Sequence, residues 1–127
     1  MADAGRHRIV LDLAIESLQK AGNLRFRVQG YSMFPTIRPG SYVEVSRATH
    51  DQVVVGDIVL VKIPSGFRLH RLVKIQHNLS GPKIVTRGDN HWHNDPPVRA
   101  SRLLGRLAGL PSAPGWFARF ADRIRAA

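Results

Sequence analysis

The sequence predicts a mostly-β domain, a barrel or folded sheet with a short helix at each end. Two observations predict it. Short segments that alternate apolar and polar residues, or run apolar, recur along the middle of the chain and are separated by Gly- and Pro-containing turns. Helical periodicity is confined to the two ends. At 127 residues the chain is long enough for one domain with a core of its own.

The elements follow in order. Residues 7–21 place Ile9, Val10, Leu13, Ala14 and Leu18 on one side of a helix, and Gly22-Asn23 stops it. Residues 1–23 are therefore read as an N-terminal amphipathic helical segment. Residues 24–29, LRFRVQ, alternate as a half-exposed strand does. After Pro39-Gly40 comes YVEVS, alternating again. ATHDQVVVGD reads as loop, or as strand plus turn. IVLVKI (58–63) is a strand, broken by Pro64-Ser65-Gly66, and FRLHRLVKIQ (67–76) is another. HNLSGP is its turn and KIVTRG (83–88) the next strand. GDNHWHNDPPV is a polar loop, and ASRLLGRLAGL fits either a last strand or a short helix. The β domain is bounded at 24–110. Residues 111–127 make a PSAPG linker and a C-terminal amphipathic helix, with Trp116, Phe117, Phe120 and Ile124 on one side and arginines on the other.

Composition narrows the chemistry. No cysteine is present, which excludes disulfides, thiolate metal sites and a Cys nucleophile. Nineteen Lys and Arg against nine Asp and Glu give a formal charge of +10, which favours anionic partners or simply solvates the surface. Asp12 and Glu16 interrupt the N-terminal segment, so it reads neither as a signal peptide nor as a membrane span. The expectation is a soluble, cytoplasmic protein. Its C-terminal helix suits an anionic membrane surface or, preferably, core packing or a partner protein.

Val28-Gln-Gly-Tyr-Ser-Met-Phe-Pro-Thr-Ile-Arg-Pro-Gly40 sets Ser32 between a strand and a proline-punctuated turn. A serine there is a turn residue or a nucleophile. A nucleophile needs a base, usually His or a desolvated Lys, near in the fold rather than in sequence. His70 lies inside a strand, sharing a face with Arg68, Leu72 and Lys74 under strict alternation. Lys62 and Lys74 are rival bases. Asp89 and Asp95 are acids that could orient an imidazole, although Asp89-Asn90 also suits a turn. His91-Trp92-His93 has metal-like spacing but no third ligand at a telling position, so no metal or cofactor is expected.

Taken in order, VQGYSMFPTIRPGSYVEV, VVVGDIVLVKI, FRLHRLVKI and IVTRGDNHWHND resemble the boxes of the signal peptidase I family of serine peptidases, whose fold self-cleaving SOS repressors share. The resemblance covers residues 24–107. It implies Ser32 of Ser32-Met33 as nucleophile, followed by Pro35 and Thr36, and Gly56-Asp57 as a structural turn. His70 falls where most bacterial members carry a lysine, which resembles the Ser-His branch, and Asp89 and Asp95 fall at that branch's acidic positions. It also implies an oxyanion and substrate site around Gly30, Tyr31, Met33 and Pro35. Gly30 stands where many members have a second serine. The function implied is a serine endopeptidase acting on a protein or peptide. The alternative is an inactive peptide- or nucleic-acid-binding module on the same fold; about twenty residues precede the β domain, too few for a repressor's DNA-binding unit to be expected there, and nucleic acid is not the expected partner.

Overall fold

The computed structural model describes residues 13–109. A helix, α1, covers 13–21 and ends where Gly22 turns to φ +80°, its N–H donating to the Leu18 carbonyl. Seven strands follow: β1 (Asn23–Arg27), β2 (Tyr42–Arg47), β3 (Ile58–Ile63), β4 (Gly66–Asn78), β5 (Gly81–Arg87), β6 (Val98–Arg99) and β7 (Leu103–Leu107). They form one antiparallel sheet, in the order β1-β2-β7-β3-β4-β5-β6, curled into a half-barrel. The C-terminal amphipathic helix, the linker and the start of the N-terminal helix lie outside the described residues.

β3 explains why the sheet has a core on both sides. Its run Ile58-Val59-Leu60-Val61 is buried at every position, as a continuous apolar run predicts. Val59 and Val61 pack with Leu72, Ile84 and Leu103 on one face. Ile58 packs with Met33, Ile37 and Leu107 on the other, and Leu60 with Leu18 and Val45. α1 thus closes one end of the second face through Leu18.

Several expectations shift in detail. The β4–β5 turn is only Leu79-Ser80, because β4 continues to Asn78. His50–Gln52 is a 3-10 turn rather than strand, with the Thr49 N–H donating to the Gln52 side chain. Of the segment read as a last strand or short helix, Ala100–Arg102 forms a 3-10 turn and Leu103–Leu107 forms β7. β7 inserts between β2 and β3, where Gly105 is required: a Cβ there would lie 2.5 Å from the Ser46 carbonyl oxygen.

The alternation in β4 holds from Phe67 to Leu72 and then breaks. A register shift against β5 falls between Leu72 and Lys74. Leu72 and Ile75, three residues apart, consequently pack on the same cluster, which unbroken alternation forbids. Lys74 is exposed and turned off the face that carries His70.

Candidate active site

The loop 28–41 joins β1 to β2 and carries Ser32. Its base is closed by two backbone bonds, Val28 N–H to the Ser41 carbonyl and Gly40 N–H to the Val28 carbonyl, both 2.8 Å. Inside it, Phe34 N–H donates to Tyr31 and Ile37 N–H to Met33, and the Phe34-Pro35 peptide is cis. Met33 and Ile37 bury their side chains in the core, so the residue after Ser32 is anchored. Tyr31 and Pro35 are exposed, and Gly30 has φ +79°, a backbone region that glycine enters without strain.

A second loop, 88–97, follows β5 and docks onto the first. Asn90 N–H donates to the Ser32 carbonyl at 2.9 Å, and the Asn90 side-chain amide to the Tyr31 carbonyl at 3.1 Å. Gly88 permits this approach: a Cβ there would lie 2.6 Å from the Ser32 carbonyl oxygen and 2.9 Å from His91 Nδ1. The same loop carries both aspartates.

The structure sends those aspartates to different places. Asp95 is held by Thr86, its N–H donating to the Thr86 carbonyl and its Oδ2 accepting from Thr86 Oγ1 at 2.7 Å. Its Oδ2 also accepts from His70 Nδ1 at 2.6 Å. Asp89 is fully buried and lies against Arg71, which donates Nε to Oδ1 at 2.9 Å and Nη2 to Oδ2 at 2.8 Å. Thr36 Oγ1 adds a bond to Asp89 Oδ2 at 2.5 Å, tying the Ser32 loop to the same carboxylate.

Ser32 and His70 line one cleft of about 530 Å³, walled by Met33, Leu60, Phe67 and Leu69 among others. His70 is buried. Burial acts to raise the Asp95 carboxyl, but hydrogen bonds from His70 and Thr86 and the charges of His70 and Arg68 outweigh it and hold the carboxyl below its usual range. An ionised Asp95 accepts the Nδ1 proton, so in neutral His70 the lone pair sits on Nε2. Burial, then the neighbouring His70, pushes the His91 imidazole down. The His91 ring stands edge-on to His70 with centroids 5.3 Å apart.

A model of the Peptidase S24-like family matches residues 5–107. The chain belongs to the Peptidase S24-like family. This bears out the resemblance to the signal peptidase I and SOS repressor peptidases and the mostly-β fold expected from it. No curated relative matches the chain. Among the described residues of this S24-like protein, no helix is long and apolar enough to cross a membrane.

The sequence pointed to Ser32, His70, the two aspartates and, in a histidine pair, His91, but not to Arg71, Thr86 or Arg68 as their partners. Arg71, Thr86, Arg68 and His91 are the neighbours that differentiate the two acids. Arg68 Nη1 lies 3.5 Å from Asp95 Oδ2 and is buried without a hydrogen-bond partner. An arginine in the middle of an otherwise apolar strand face was a signal for Arg71, since a buried guanidinium needs a carboxylate. Thr86 and Arg68 carried no such mark.

Proposed function

We propose that this S24-like protein is a serine endopeptidase in which Ser32 is the nucleophile, His70 its general base and Asp95 the carboxylate that orients His70. The observation that carries the reading is the partly buried His70–Asp95 hydrogen bond at 2.6 Å, with His70 on the wall of the cleft that Ser32 also lines. Asp95 holds the imidazole with its Nε2 lone pair available and stabilises the imidazolium that forms. Ser32 Oγ attacks the scissile carbonyl and forms a C–O bond as its proton passes to His70. His70 then gives that proton to the leaving amine as the C–N bond breaks. Water, deprotonated by His70, hydrolyses the acyl-enzyme. Backbone N–H groups at Ser32 and Met33 are the donors for the oxyanion, because Gly30 brings no side chain to it. Asp89 has a different task, bracing the Ser32 loop through Thr36 and the sheet through Arg71.

The apolar walls at Met33, Leu60, Phe67 and Leu69 favour a peptide segment with apolar side chains next to the cut. The test is digestion of a mixed peptide library read by mass spectrometry. Wild-type protein is expected to generate new termini at a restricted motif, and Ser32→Ala none above background. Equal cleavage by both proteins would end the reading. A library that both leave intact but bind would favour a peptide-binding module instead.

A further inference from the structure

His70, His91 and Asp95 each bring one metal-ligating atom to a common point, all within 4.8 Å of one another. We infer that these three residues form a binding site for a first-row divalent transition-metal ion, zinc foremost, and that its occupancy blocks the Ser32–His70 pair. The blocking half rests on the peptidase reading above; the site itself does not.

The donor set selects the ion. Two imidazoles and one carboxylate suit zinc and its neighbours, whereas magnesium and calcium require oxygen ligands. Four-coordinate zinc, with bonds of about 2.0–2.2 Å, holds its ligand atoms roughly 3.3–3.5 Å apart. The ligand atoms must therefore draw in toward the ion, and the 2.6 Å His70–Asp95 contact must open by about 0.8 Å.

The frame supports that adjustment. His70 is fixed in β4, and Asp95 is tied at its N–H and its carboxylate to Thr86. His91 is positioned from its backbone: its N–H donates to the Gly88 carbonyl, and its carbonyl accepts from Arg87 Nε, both at 2.9 Å. Gly88, having no Cβ, lets the His91 ring lie close against it. Arg68, 3.5 Å from Asp95, opposes the cation and weakens its binding. An ion shared with Asp95 binds His70 at Nδ1 and leaves the ring proton on Nε2, so Nε2 can no longer accept the serine proton.

Isothermal titration of the full chain with zinc alone tests the site without any substrate. One equivalent is expected to bind, and His91→Ala to weaken it by about ten-fold or more, the loss of one of three ligands. His91→Gln, which keeps a polar side chain at that place, should show the same loss. His77→Ala, seven residues along β4 from His70, should bind as wild type does. Cobalt in place of zinc should give the visible absorption of a nitrogen- and oxygen-ligated ion, again lost in His91→Gln. No saturable one-to-one binding, or equal binding by the His91 variants, would overturn the proposal. A phosphonylating serine probe then reads the blocking: labelling of Ser32 should fall on zinc addition and return with chelator. Labelling that zinc leaves unchanged while zinc is bound would overturn the blocking half. Zinc binding in a protein that never labels would sink the peptidase reading, and the blocking half with it, but leave the metal site standing.

Discussion

His70 and Arg71 are neighbours in β4, so their side chains leave the strand on opposite faces. Each finds its own aspartate from the loop 88–97, Asp95 for His70 and Asp89 for Arg71. The two acids therefore respond differently to the same change. Asp89→Asn leaves a buried guanidinium without its counter-charge, and removing one partner of such a pair costs about 3–5 kcal/mol. Chemical denaturation is expected to show a loss of that order, with the midpoint moving down. Asp95→Asn exchanges a half-buried carboxylate for an amide of the same shape. Its stability loss should be the smaller one, while reactivity of Ser32 falls about 10²–10⁴-fold through loss of imidazole orientation. An Asp95→Asn protein as reactive as wild type would remove Asp95 from the mechanism.

At the scale of elements, Gly88 lets the two site loops meet, Gly105 lets β2 and β7 pair, and the bulge in β4 turns a lysine away. Gly88→Ala would press a methyl group against the Ser32 carbonyl and the His91 ring. Overpacking of this kind costs about 1–3 kcal/mol, and displacement of the Ser32 backbone should lower labelling further than the stability change explains. Gly105→Ala would wedge β2 from β7; it should destabilise by a similar amount, with the reactivity of the remaining folded protein kept. The bulge after Leu72 turns Lys74 away from His70's face, so Lys74→Ala should leave Ser32 labelling within about two-fold, in the range of ordinary surface changes. That bulge also marks where the sequence stopped being legible. Alternation from Phe67 to Leu72 was written in the side chains, as were the strands at 58–63 and 83–88. The shift is a property of pairing with β5, and no residue in VKIQ announces it. In the same way, Ser32, His70 and Asp95 were visible as chemistry, but the choice of Asp95 over Asp89 depends on which strand face each loop residue reaches.

For the molecule as a whole, the half-barrel places its most protected strands at the site. β3 is buried on both faces and lies between β7 and β4, which carries His70, while β1 and β6 are the sheet's edges. Native-state hydrogen exchange followed by mass spectrometry should find the slowest amides in β3 and the centre of β4, and the fastest among the strands in β1 and β6. Slow exchange in β6 and fast exchange in β3 would contradict this arrangement. β4 carries His70, and the Ser32 loop, tied to the loop that carries Asp95, lines the same cleft. That whole arrangement is tested most directly by reacting the protein with a phosphonylating serine probe and mapping the adduct by mass spectrometry. One adduct is expected, on Ser32, absent in Ser32→Ala and strongly reduced in Asp95→Asn under conditions where both variants are folded. No adduct on the folded wild-type protein, or one that persists in Ser32→Ala, would contradict it.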